Sequence, residues 1–168
     1  MKNAPGAYLH QNSFRAIILN EDCKLNESVV IHEFTHYLQD ILGIFKNDDI
    51  KSIDRAKLSY LHLNDEDLDK LLSFVTGNEM MAYIMEFIET AKKIYDAHKE
   101  AIKSLNPDLF IEYINANSLS EDLSKSQLYM NFVKFSGYAE PLLVYAACMA
   151  LDIQKKTIIK MLKEELEK

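Results

Sequence analysis

His32-Glu33-Phe34-Thr35-His36 decides how this chain is read. On a helix, residues i and i+4 share a face, so these two imidazoles stand one turn apart and converge from one side. Zinc asks that of neutral nitrogen ligands. Glu33 lies roughly 100° around the helix from His32, an offset that suits a general base acting on water better than a third ligand. The flanking residues agree with a helix. Asn26 has the chemistry of an N-cap, Glu27 falls in the first turn, and Gly43 comes just past the end, which predicts one helix over Asn26–Leu42. Val30, Phe34, Leu38, Ile41 and Leu42 form an apolar stripe expected to face a core. His32, His36, Gln39 and Gly43 lie on a different side, where a cleft is expected to open.

Upstream, Gly6-Ala7-Tyr8-Leu9-His10 and Phe14-Arg15-Ala16-Ile17-Ile18-Leu19 are short β-prone runs separated by the polar Gln11-Asn12-Ser13. They predict a hairpin just before the helix. An edge strand beside a zinc helix is a place where an extended peptide can add as another strand, or the strands simply cover one side of the helix.

Two histidines do not complete a catalytic zinc site, which usually has three protein ligands and a water. No third histidine follows His36 closely, since Asp40, Gly43 and Phe45 stand there, and His62 lies in a stretch without helical or strand pattern. A carboxylate from a second helix is the natural donor. Glu79, in Gly77-Asn78-Glu79-Met80-Met81-Ala82-Tyr83, is the better candidate. Gly77 breaks the preceding segment, and Asn78 can cap a helix running to about Lys103. Ala82 shares the face of Glu79 and permits close approach to the first helix. Glu86, two turns on and on the same face, is the alternative ligand.

His32-Glu33-x-x-His36 followed by Asn78-Glu79-x-x-Ala82 resembles the gluzincin type of zinc metallopeptidase, and in size the single-domain minigluzincins. The resemblance covers roughly Tyr8 to Glu89. It implies a zincin-like fold, His32, His36 and Glu79 as zinc ligands, and Glu33 as the general base and acid of peptide hydrolysis. In larger gluzincins an Asp four residues after the ligand Glu orients a zinc-bound His; Tyr83 stands there instead, so that orientation has to come from elsewhere, such as a backbone carbonyl. Such enzymes also commonly stabilise the oxyanion with a downstream Tyr or His. Tyr83 and Tyr138 are the residues to consider, although both have the character of packing residues.

The chain has 168 residues, enough for one domain with its own core, with 1–106 expected as the catalytic core and 107–168 as its C-terminal helical part. A net charge of −7 disfavours a nucleic-acid partner. No signal-peptide-like stretch or spanning apolar run is visible, so a cytoplasmic protein acting on a peptide or protein substrate, away from membranes, is the default expectation. Cys23 and Cys148 have no ligand spacing, and Cys148 reads as a small core residue.

The remaining pattern is mainly helical. Segment 44–63 looks irregular, a rim over the cleft or a connecting loop. Asn64-Asp65-Glu66-Asp67 starts a helix leading into Leu68, Leu71 and Leu72, and Pro107 starts another. Ser120 with Glu121 and Asp122 starts a third that Gly137 ends. Pro141 opens the apolar helix Leu142–Leu151, expected to be the most buried of the C-terminal set. The last helix is amphipathic, with Ile158, Ile159 and Leu162 inward. These elements place the chain in the α+β class, mainly helical with a small N-terminal hairpin. Two rival functions stay open beside the zinc peptidase: a binding or regulatory module with a structural or vestigial zinc site, and a helical interaction protein.

Overall fold

A computed structural model describes residues 5–11, 14–20, 27–43 and 53–168. Strands β1 (Gly6–Gln11) and β2 (Phe14–Leu19) pair antiparallel, with Gly6 opposite Leu19 and Gln11 opposite Phe14. This is the expected hairpin. Helix α1 (Glu27–Leu42) follows, and Gly43 ends it at φ +66°, a left-handed conformation that costs glycine little because it has no Cβ. The expected cap Asn26, together with Cys23 and residues 44–52 of the expected rim, lies outside the described residues.

The rest of segment 44–63 is more regular than its pattern suggested. Arg55–Leu61 form a 3-10 helix whose Asp54 side chain accepts from the Ala56 N–H at 3.1 Å, with Leu58 buried beneath it. A three-residue repeat escapes a search for the α-helical period. Helix α2 (Asp65–Thr76) starts where expected, and Asn64 caps it by accepting from the Asp67 N–H at 2.8 Å.

Helix α3 (Glu79–Lys99) is shorter than expected, and Asn78 makes no side-chain cap bond because its own backbone is already helical, at φ −67° and ψ −16°. Helices α4 (Pro107–Ser118), α5 (Gln127–Ser136), α6 (Glu140–Leu151) and α7 (Lys155–Leu166) complete the chain. Helix α5 begins later than Ser120: a 3-10 turn, Leu123–Lys125, intervenes, and Ser126 supplies the cap by accepting from the Tyr129 N–H at 3.1 Å. Gly137, at φ +89°, ends α5 as expected.

The core lies between α2 and α7, with α3 at its centre. Phe87 of α3 stacks between Tyr145 of α6 and Phe132 of α5, at centroid separations of 3.8 and 5.2 Å. Each such side chain, once fully buried, contributes about 1.5–3 kcal/mol. Helix α6 is the most buried C-terminal element, and Cys148 lies inside it. On α7 the inward residues are Ile158, Leu162 and Leu166, with Ile159 half-buried. Among the described residues no helix is long and apolar enough to cross a membrane.

One expectation is reversed. The apolar stripe of α1 faces outward, with Val30, Phe34, Leu38, Ile41 and Leu42 all between 36 and 64% exposed. The face packed on α3 and β1 instead carries Val29 with Ser28, Glu33, Thr35 and Gln39, each no more than 9% exposed. Periodicity finds two faces on a helix but not which neighbour each meets. The polar face can be buried here because α3 and β1 offer matching hydrogen-bonding groups.

Candidate metal centre

α1 and α3 cross where each carries its polar face. Ala82, fully buried, keeps the contact close. There the His32 and His36 Nε2 atoms lie 3.2 Å apart, Glu79 Oε2 lies 2.9 Å from His32 Nε2, and Glu79 Oε1 lies 3.3 Å from His36 Nε2. Three atoms bonded to one tetrahedral zinc at about 2.0–2.1 Å would sit about 3.3 Å from one another. The residues present therefore suit a zinc ion. Sequence reasoning named these three, and the fold brings them together.

The far side of each imidazole is fixed. Gln39 Oε1 lies 3.0 Å from His36 Nδ1, while Gln39 Nε2 donates to the Asn78 carbonyl at 3.2 Å. Glu86 Oε1 lies 2.5 Å from His32 Nδ1, and Glu86 is fully buried. With both Nδ1 atoms donating, both Nε2 lone pairs face the Glu79 carboxylate. Such an electron-rich cluster calls for a cation, whether proton or metal.

The protonation preferences follow from this crowding. Burial opposes charge on His32, but hydrogen bonds to Glu79 and Glu86 overcome it and lift the imidazole to about 9. The Glu79 carboxylate raises His36 as well. In return, His32 and His36 pull Glu79 down to about 2.

Glu33, 8% exposed, lies beside the cluster. Burial raises its carboxyl above the usual range, against the opposing pull of His32, His36 and a hydrogen bond from the Tyr8 backbone. That bond ties the carboxylate to β1. Gly6 permits the approach, because a Cβ there would stand 2.9 Å from Val29 Cγ1 and 3.0 Å from Glu33 Cγ. A second polar knot, which sequence reasoning missed, pins the hairpin onto α1. Asp40 accepts from the Tyr8 hydroxyl at 2.5 Å and from Arg15 Nε at 2.7 Å, and lies 3.1 Å from His10 Nδ1. The signal available was Asp40 itself, one turn past His36 on the same helix.

A cleft of about 780 Å³ opens over these groups. The start of β1 forms one wall; Lys70, Tyr83, Tyr138 and Glu140 contribute to the others. The two candidate oxyanion tyrosines separate. Tyr83 sets its ring edge-to-face against His32 at 4.8 Å, whereas the Tyr138 hydroxyl is engaged by Glu86. Glu86, the alternative ligand, lies on the Nδ1 side of His32, away from the three converging atoms.

No protein-family model, curated protein or solved structure matches this chain.

Proposed function

We propose that the protein is a zinc-dependent metallopeptidase of zincin-like fold, with His32, His36 and Glu79 as ligands and Glu33 as general base. The observation that carries this reading is the convergence of the His32 and His36 Nε2 atoms, 3.2 Å apart, on the Glu79 carboxylate, whose Oε2 lies 2.9 Å from the first and whose Oε1 lies 3.3 Å from the second, beneath a cleft that Glu33 also lines. Bound zinc would supply Lewis acidity, polarising a carbonyl and acidifying a water. Glu33 takes the proton of the attacking water and delivers it to the leaving amine. Its raised proton affinity suits that exchange. The start of β1 lines the cleft, and we read it as the strand beside which an extended peptide would lie.

The second reading is a zincin-like binding module in which zinc is only structural. The exposed apolar face of α1 favours it, since such faces mark interaction surfaces. Metal analysis of the purified chain with a peptide-library digest tests both. Stoichiometric zinc with cleavage supports the peptidase; stoichiometric zinc without cleavage supports the module. Absence of bound zinc after zinc-replete purification removes both.

A further inference from the structure

Among the described residues, the sheet stops at β2. The Asn20 N–H donates to the Pro5 carbonyl at 3.0 Å, which sets the phase of the ladder. Bonding direction alternates along an antiparallel pair, so Phe14, Ala16 and Ile18 turn their backbone groups toward β1. Arg15, Ile17 and Leu19 turn theirs away, where no described strand meets them. The start of β1 lines the cleft and β2 does not, so this open edge lies away from the candidate metal centre.

The neighbouring surface of α1 is apolar. Around the helix, Asp40, Tyr37, Val30 and Phe34 follow one another in steps of no more than about 60°. Asp40 accepts from Tyr8 and Arg15 of the hairpin, and Tyr37 stands edge-to-face against Tyr8 at 6.1 Å. Phe34 stacks on Tyr37 at 5.7 Å yet is 48% exposed, and Val30 is 43% exposed. The hairpin thus covers α1 as far as Tyr37, and the bare sector begins where a third strand would lie.

Natural edge strands are usually blunted by lysine, proline or a bulge. Phe14-Arg15-Ala16-Ile17-Ile18-Leu19 has none of these, and its one charge, Arg15, is already held by Asp40. On the other face of the hairpin, Phe14 and Ile18 are 62 and 48% exposed.

We propose that β2 docks a second copy of this chain, β2 antiparallel to β2 about a two-fold axis at Ile17, so that two hairpins join into one four-stranded sheet. Each strand offers the other the same groups: Ile17 faces Ile17 of the second copy, and Arg15 faces Leu19. The outward backbone groups are completed, and Ile17 and Leu19 of one copy come down on Val30 and Phe34 of the other. Arg15 never faces Arg15, so the net charge of −7 on each copy brings no like-charged pair to the seam. Phe14, Ile18, Leu19, Val30, Phe34 and Leu38 together expose on the order of 500 Å². With the strand backbone, each copy buries about 600–800 Å², the range at which stable interfaces begin. The surface is separate from the metal centre and stands or falls without it.

Sedimentation velocity of the whole chain between about 1 and 100 µM should show the 19.4 kDa species giving way to a dimer. Ile18→Lys and Phe34→Lys, both at exposed positions, should each raise the dimer dissociation constant at least about tenfold. Met130→Lys, 56% exposed on α5, should leave it unchanged. Hydrogen exchange of the wild type, which needs no variant to fold, should show the amides of Arg15, Ile17 and Leu19 protected at high concentration and released on dilution. A chain that stays monomeric to about 100 µM overturns the proposal. So does a dimer that survives both lysine variants, that Met130→Lys also dissociates, or whose three edge amides exchange freely. Edge amides protected only when an extended peptide is added overturn it as well, and make the occupant a different chain.

Discussion

His32 Nδ1 and Glu86 Oε1 lie 2.5 Å apart although 54 residues separate them in the chain. That contact turns one face of the imidazole into the core and the other into the cleft. It joins the helix of the two histidines to the helix that organises the hydrophobic core.

Glu33→Gln should keep zinc and lose hydrolysis. Glutamine retains a carbonyl oxygen for the Tyr8 backbone but cannot take a proton from water, so kcat should fall by about 10²–10⁴. His32→Ala should lose both metal and activity. Metal content beside peptide turnover separates the two, and undiminished turnover in zinc-replete Glu33→Gln would sink the mechanism.

Zinc should stabilise the folded chain, because the three ligand atoms converge only when α1 meets α3. At free zinc about a hundredfold above Kd, the gain is about 2.7 kcal/mol. Thermal melts with and without a chelator read this as a lower Tm on metal removal. Glu79→Ala should abolish the difference.

The metal-free protein should be less stable in alkali than near neutrality. His32 is raised from 6.5 to about 9, so its contribution is complete below about pH 6.5 and is lost as pH climbs through about 9. Glu79, drawn down to about 2, behaves oppositely: its contribution is present above about pH 4.5 and is lost as pH falls through about 2. Urea titrations of chelated protein at about pH 6 and about pH 9.5 should show the alkaline loss, and His32→Gln should flatten it.

Gly6→Ala should weaken the hairpin contact. The added Cβ would meet Val29 Cγ1 at 2.9 Å and Glu33 Cγ at 3.0 Å, so β1 or Glu33 has to move. Overpacking of this kind costs about 1–3 kcal/mol. Turnover should drop while zinc affinity stays near the wild-type value, since all three ligands lie on α1 and α3. Equal loss of both would show that β1 supports the ligands themselves.

Ile41→Gln and Leu42→Gln should change stability by less than about 0.5 kcal/mol, as surface substitutions do, because these residues are 46 and 64% exposed. Val29→Asp, on the buried face at 3% exposure, should be strongly destabilising. Denaturation of the three variants checks the orientation of α1 directly. A large loss in the first two would restore a core-facing apolar stripe.

Much of the architecture was legible locally. The β-prone runs at Tyr8 and Ile17 paired as expected, Asn64 capped α2, and Gly43 and Gly137 ended their helices in left-handed conformations. These features depend on neighbours a few residues away. The Ser126 cap was missed because Ser120 offered the same chemistry six residues earlier, and the tertiary fit chose between them.

By itself, the sequence determined that two histidines stand one turn apart on a helix, with a carboxylate between them and a glutamate on a later helix. Short-range periodicity and capping are enough for that. Only the tertiary structure decided that α1 buries its polar face, that Glu79 rather than Glu86 meets both Nε2 atoms, and that Tyr138 ties the C-terminal helices to His32 through Glu86. A helix with two different faces satisfies its local preferences in either orientation. The choice falls to whichever neighbour can complete the hydrogen bonds of the buried groups, and here those neighbours are far away in the chain.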